Sequence, residues 1–282
     1  MTPIYDKATI ANAVKSLKDS GQKIGFVPTM GALHKGHTSL IDFGLQYCDV
    51  VVVSIFVNPT QFNNHDDLKK YPRTLDDDIK LLAPYHKQVM PYVPSIAQVY
   101  DNKPKSKKYA FGSLATAMEG RYRPGHFDGV GTVLNLLFRQ IMPHMAFFGE
   151  KDYQQLLIVK KMVKLERLPV QIVGSPIYRQ RNGLAMSSRN ARLTNDQLNA
   201  APLIFQVLKT AQKQFESKSA AQLKSWVTQQ FNEHPILDLE YFEIANIKNL
   251  NLLSRKRKHQ KYRAFIAAFA GEVRLIDNIA LN

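Results

Sequence analysis

Between residues 20 and 176 the hydrophobic period of the chain switches repeatedly. "IGFVPT" (24–29) is a short apolar run, and a helical pattern follows from about His37 to Tyr47. "DVVVVSIFV" (49–57) is β-branched and apolar on both alternating faces, which marks a strand covered from both sides. Thr74 stands at the N-cap position of "LDDDIKLLAPY", whose three acids in the first turn suit the positive end of a helix dipole. "QVMPYVP" then reads as a strand, "GVGTVLNLLFRQI" as a helix and "MAFFGE" as a strand. "YQQLLIVKKMVKLE" reads as a further helix and "VQIVGSPI" as a further strand. Such alternation predicts an α/β domain over residues 1–176, a Rossmann-like doubly wound parallel sheet with helices on both faces.

Beyond about residue 180 the pattern changes. "TNDQ" (194–197) is a capping box that opens a long helical region running to about His234. "LEYFEIAN", "YRAFIAAFA" and "RLIDNIAL" follow as three strand-like runs with no long helix between them. A smaller α+β C-terminal domain is expected over 177–282, with helices packed on a small antiparallel sheet, acting as a lid.

Composition removes several classes. The longest strongly apolar run, 50–57, is far short of the roughly 20 residues a membrane helix needs. The N-terminus reads as an amphipathic helix without the apolar block of a signal peptide, so a cytoplasmic location is the default. Cys48 is the single cysteine, which excludes an internal disulfide and any multi-cysteine metal site; it reads as a small core residue. Among 282 residues the net charge is +15, concentrated in "KPKSKKY" (103–109) and "RKRKHQKYR" (255–263). A field of that sign attracts phosphorylated metabolites or nucleic acid. Neither run interleaves aromatics as a single-strand binding face does, so both read as solvated loops, with nucleic acid kept as an alternative.

The stretch "PTMGALHKGHTSL" (28–40) carries the chemistry. It has Gly31, Gly36 and Thr38 at phosphate-loop spacing, but His37 stands where such a loop needs its lysine. Three readings are open: an altered phosphate loop, a histidine pair for a metal, or a helix N-terminus that holds a nucleotide by other means. An imidazole is charged only below a pKa near 6.5, and no nearby glutamate completes a zinc-hydrolase motif, which weakens the first two. A strand that turns through glycine into a helix aims the positive helix end at the carboxyl edge of a parallel sheet, where phosphate binds.

"HKGH" resembles the HxGH signature of the nucleotidylyltransferase superfamily, and "PTMGALHKGH" resembles the signature of the pantoate–β-alanine ligase (pantothenate synthetase) family. "VVVSIFVNPTQF", "YPRTLDDD", "RPGHFDGV", "FGEKDYQQL", "GLAMSSRN" and "RLIDN" match in the same order, so the likeness runs from about residue 20 to the C-terminus. The resemblance implies an ATP-dependent condensation of pantoate with β-alanine through a pantoyl adenylate, releasing pyrophosphate and AMP. It implies that Met30, Gly31, Ala32, Leu33, His34, Lys35, Gly36 and His37 line the ATP site, with His34, His37 and Lys151 catalytic. Gly149, Glu150, Lys151 and Asp152 would serve phosphates and ribose, and Tyr178 would lie against adenine. Met186, Ser187, Ser188 and Arg189 would grip the departing pyrophosphate, and Gln61 and Gln155 would bind pantoate. Mg²⁺ should accompany ATP, held mostly by phosphates and water. Asp77 or Asp78 could orient that water, but helix-dipole stabilisation explains them equally well, and no metal ligand is assigned. The family is usually a homodimer. Another HxGH nucleotidylyltransferase with a different acceptor is the second alternative.

Overall fold

In the computed structural model, residues 1–62 and 65–282 are described, with the backbone alone at His65 and Asp67. Five strands, β1 (Ile24–Thr29), β2 (Val50–Ile55), β3 (Val89–Tyr92), β4 (Met145–Gly149) and β5 (Gln171–Ser175), form one sheet in the order β3-β2-β1-β4-β5. All four pairings are parallel, with Ile24 opposite Val50 and Thr29 opposite Ile55 in the central pair. Every residue of β2 is buried, as its two-sided apolar pattern requires. Helices α1 (Lys7–Asp19), α2 (Lys35–Leu45), α3 (His65–Lys69), α4 (Leu75–Leu82), α5 (Ile96–Tyr100), α6 (Glu119–Tyr122), α7 (His126–Ile141) and α8 (Tyr153–Leu165) occur along this part of the chain. One core lies around α1, α7 and α8, and a smaller one lies against α2 and α4, so apolar layers cover both sheet faces. Cys48 is buried in the second of these, as its size and polarity suggest.

The C-terminal part holds α9 (Asn195–Ala200), α10 (Leu203–Gln214) and α11 (Ala220–Asn232), then β6 (Leu237–Asn246), β7 (Tyr262–Ala270) and β8 (Val273–Ala280) in one antiparallel sheet. The Thr194–Gln197 capping box is present. The expected helical region is divided into three helices. Pro202, which lacks an N–H for the helical ladder, stands at the N-cap of α10, and Ser219 caps α11 afresh. Side chains of one sheet face, including Phe242, Ile266 and Leu275, pack with α10 and α11, while Tyr241, Ala245, Phe265 and Ala267 join the core of the parallel-sheet body. The small sheet is therefore wedged between its own helices and the larger body.

The basic runs are partly bound inward. Lys107 pairs with Glu166 at 2.5 Å and Lys108 with Asp128 at 2.9 Å, and Lys256 donates to the carbonyls of Phe215 and Glu216. Among the described residues no helix is long and apolar enough to cross a membrane.

Candidate active site

The sheet order reverses between β1 and β4, and ligands of open parallel sheets settle beyond the carboxyl ends of the strands at such a point. A cleft of about 280 Å³ lies there and adjoins a second space of about 550 Å³; Lys151, Asp152, Ser187, Arg189 and Asp277 line both. Three segments build its walls: the turn after β1, the turn after β4 and the residues around 178–189.

The turn after β1 bends through Gly31 and Ala32, both at positive φ (+80° and +49°). A Cβ on Gly31 would come within 3.0 Å of an Asp78 oxygen and 3.1 Å of Ile55, so both backbone and space require glycine. Asp78, buried in α4, accepts from the N–H groups of Ala32 at 3.0 Å and Leu33 at 2.7 Å. Sequence reasoning credited this acid to the helix dipole or to ordering a water; its observed work is to clamp a strained turn. Thr74 differs from expectation in the same way. Its hydroxyl makes no cap bond to the helix backbone and donates to Asp78 at 3.2 Å.

His34 is the N-cap of α2. Its Nδ1 accepts from the N–H of Gly36 at 3.1 Å, and His37 Nδ1 accepts from the N–H of His34 at 3.2 Å, a capping box made by two imidazoles. The rings stack with centroids 4.0 Å apart. A nitrogen that accepts from an amide is unprotonated, so each neutral ring carries its proton on Nε2. Desolvation, reinforced by the Lys151 charge, lowers His34 to about 4. Desolvation, then His34 and Lys151, holds His37 well below the usual imidazole value. Both rings are uncharged hydrogen-bond donors at neutral pH.

Across the cleft, Gly149 ends β4 and a single 3-10 turn of Glu150, Lys151 and Asp152 leads into α8. Lys151 Nζ lies 3.5 Å from the Asp152 carboxylate. Glu150 does not line the cleft; Arg263 from β7 holds its carboxylate at 2.9 Å. Met186, Ser187, Ser188 and Arg189 close the third side with Tyr178. Ser188 Oγ donates to the Ala32 carbonyl at 3.1 Å, and a Cβ on Gly36 would touch Met186 Cβ at 3.2 Å, so this segment lies directly on the histidine turn. The Arg189 guanidinium stands 5.8 Å from the centre of the Tyr71 ring.

Met30, His34, Gly36, His37, Gln61, Gly149, Lys151, Asp152, Gln155, Tyr178, Met186, Ser187, Ser188 and Arg189 thus share one cleft. Gly31, Ala32, Leu33 and Lys35 complete the first turn without lining it.

Sequence reasoning missed two polar residues at the Gln61 end. Asn58, 1% exposed, donates to Gln61 Oε1 at 3.1 Å and to the Gly129 carbonyl, and Tyr100 donates to its Oδ1 at 2.6 Å. His126 Nδ1 lies 2.8 Å from the Gln61 carbonyl, which can only accept. Its Nε2 is therefore the unprotonated nitrogen, the reverse of His34 and His37. Burial, then the Arg123 charge, lowers His126 to about 3. The motif "RPGHFDGV" contains His126, but tautomer choice depends on a carbonyl 65 residues away in sequence.

The family model described as pantoate-beta-alanine ligase matches residues 3–280. A pantothenate synthetase of Flavobacterium psychrophilum is 48% identical over 280 residues, which is 99% of each chain. One from Christiangramia forsetii is 48% identical over the whole of both chains. Among solved structures, a pantoate-β-alanine ligase (pantothenate synthetase) of Thermus thermophilus superposes with a TM-score of 0.91 at 35% identity, covering 100% of this chain and 99% of that one. A pantoate-β-alanine ligase of Francisella tularensis, solved in complex with β-γ ATP and β-alanine, superposes with a TM-score of 0.80 at 35% identity, covering 99% and 98%.

Proposed function

The chain belongs to the pantoate–β-alanine ligase family, and from that premise we propose that it condenses pantoate with β-alanine at the expense of ATP, through a pantoyl adenylate. What carries the reading is the convergence, at the switch point of the sheet, of two Nε2–H imidazoles, one lysine and a Ser-Ser-Arg segment on a single cleft.

A carboxylate resists attack by an amine until it holds a good leaving group. In the first step a carboxylate oxygen of pantoate attacks the α-phosphorus of ATP, and the bond to the bridging oxygen breaks, releasing pyrophosphate. Two anions meet in that step, so the protein must neutralise charge that grows on the α-phosphoryl oxygens. His34 and His37 donate hydrogen bonds there without carrying charge, and Lys151 supplies the fixed cation. Ser187, Ser188 and Arg189 hold the departing phosphates. Gln61, oriented by Asn58, and Gln155 bind pantoate through neutral amides that leave the nucleophile unquenched. The amine of β-alanine then attacks the acyl carbon, and AMP leaves.

Mg²⁺ enters with ATP as the nucleotide's counter-ion. Phosphates and water would hold most of its coordination sphere, since this ion keeps much of its hydration. Asp77 is exposed and paired with Lys80, and Asp78 is engaged by backbone amides. The parallel-sheet body, to about residue 176, holds the substrates, and the part from 177 onward covers them; the assembly is a cytoplasmic homodimer.

The test is one assay of ATP, pantoate and β-alanine with each omitted in turn, following AMP, pyrophosphate and pantothenate. Pantoate-dependent pyrophosphate release without β-alanine, and pantothenate only with all three, is the expected pattern. Pyrophosphate release that ignores pantoate would overturn it.

A further inference from the structure

The terminal motif "RLIDN" (274–278) has no role in the chemistry above, yet its three polar side chains each bind a different part of the molecule, two of them at walls of the cleft. Arg274 donates to both carboxylate oxygens of Glu119 in α6, at 2.6 and 2.9 Å, and to Glu240 at 2.6 Å. Asp277 receives a two-pronged bond from Arg179, at 2.6 and 2.9 Å, and Arg179 begins the segment that returns through Met186 to Arg189. Asn278 donates its two amide hydrogens to the carbonyls of Glu150 at 2.9 Å and Lys151 at 2.8 Å. Its own Oδ1 accepts from Arg263, which also holds the Glu150 carboxylate.

The turn that carries Lys151 has little local support. The 3-10 helix 150–152 has no side-chain cap, and Asp152, at the N-cap of α8, accepts no backbone amide there. Asn278, 1% exposed, places both of its amide hydrogens on carbonyls of this turn. A neutral amide suits the place. It donates twice and adds no charge beside Lys151, whereas a carboxylate would face two carbonyl oxygens.

We propose that Asn278 is a positioning residue for Lys151. It fixes the 150–151 backbone, and with Arg274 and Asp277 it makes β8 the element against which the cleft walls are set. This rests on the reading of Lys151 as a phosphate ligand. Lys151 side-chain flexibility does not replace the backbone tie, because a displacement near 1 Å at a reacting group costs up to about a hundredfold in rate.

The experiment is a double-mutant cycle on single-turnover adenylate formation with Asn278→Ala, Lys151→Ala and the pair. Asn278→Ala should lower kcat/KM for ATP by about ten- to a hundredfold and leave KM for β-alanine within about twofold. In the Lys151→Ala background the same change should cost less than about threefold. Equal losses in both backgrounds, or an unchanged kcat/KM for ATP in Asn278→Ala, would overturn the proposal. If the alanine variant does not fold, Asn278→Ser, which keeps one donor and adds no charge, takes its place in the cycle, with the same expectations. The wild-type enzyme tests the reading beneath: without ATP-dependent adenylate formation both fall, whereas an active wild type with uncoupled variants sinks only this inference.

Discussion

The two turns that face each other across the cleft are built by opposite means. The turn after β1 largely closes itself: His34 and His37 cap the backbone that carries them, and one outside carboxylate, Asp78, pins the bend. The turn after β4 has no side-chain cap of its own and is tied by Arg263 and Asn278, more than 100 residues further along the chain. A self-closed turn keeps its geometry whatever the small sheet does. A turn held from outside makes the position of Lys151 depend on how the small sheet is seated on the body.

That contrast predicts where damage is global and where it is chemical. Burial would raise the Glu119 carboxyl, but Arg274, Tyr241 and Arg123 together hold it at about 2, so it is ionised throughout the useful pH range. Arg274→Ala removes the guanidinium shared by Glu119 and Glu240 and leaves Glu119 the longer pair with Arg123. It should destabilise the fold by ~3–5 kcal/mol, read as the shift in a urea transition; a loss below ~1 kcal/mol would show the seat of the small sheet to be soft. On the other wall, His37→Ala should cost only ~1 kcal/mol of stability, the usual worth of a cap. Its effect belongs in the chemistry: adenylate formation should slow by about a hundredfold or more while ATP still binds. Unchanged single-turnover rates would contradict that.

The same division separates what could be read in the sequence from what could not. Strand β2 was legible because a β-branched run with both faces apolar permits little else, and the Thr194 cap lies within three residues of its partner. Thr74 misled because a hydroxyl at a cap position has a choice, and here Asp78 outcompetes the helix backbone. The helical region expected before His234 is there, and its division at Pro202 follows from the N–H that proline lacks in the hydrogen-bond ladder. The bonds of His126 to Gln61, Asp277 to Arg179, Asn278 to Lys151 and Arg274 to Glu119 join positions 65 to 155 residues apart, and Asn58 sits behind Gln61, a residue already assigned. Spacing along a chain carries no trace of such pairs. Motif likeness supplied the residue names, and the fold alone supplied the reason for "RLIDN".

A smaller effect sharpens the local side of the comparison. Asp78→Asn keeps one acceptor for two backbone N–H groups and turns its amide nitrogen toward the other. A cost of ~1–2 kcal/mol in stability and a few-fold loss of rate are expected. Asp77→Asn is the control, since the exposed Asp77 pairs only with Lys80 among the contacts described, and should change stability by less than ~0.5 kcal/mol. Equal effects at 77 and 78 would mean that the acids act through the helix end and that the clamp on Ala32 and Leu33 is idle.

The smallest expected effect is an absence, and it separates stability from activity. An unfolded imidazole takes its proton near pH 6.5, whereas folded His34 does so near 4 and folded His126 near 3. Depressed folded values stabilise the protein above pH 6.5, and that contribution drains away as pH falls through the window from 6.5 toward 4 and 3. The thermal midpoint should therefore drop between pH 7 and pH 5. Activity per folded molecule should not follow, because His34 and His37 act as neutral Nε2–H donors; kcat/KM for ATP, which reports the free enzyme, should show no imidazole limb between pH 6 and 8. Ring nitrogen NMR gives the direct check: at both pH 7 and pH 6, the rings of His34 and His37 should each have an unprotonated Nδ1 and a protonated Nε2. Two protonated nitrogens on His34 at pH 6 would mean that the backbone caps have let go, and the self-closed turn would then depend on ligand for its shape as much as its opposite number depends on β8.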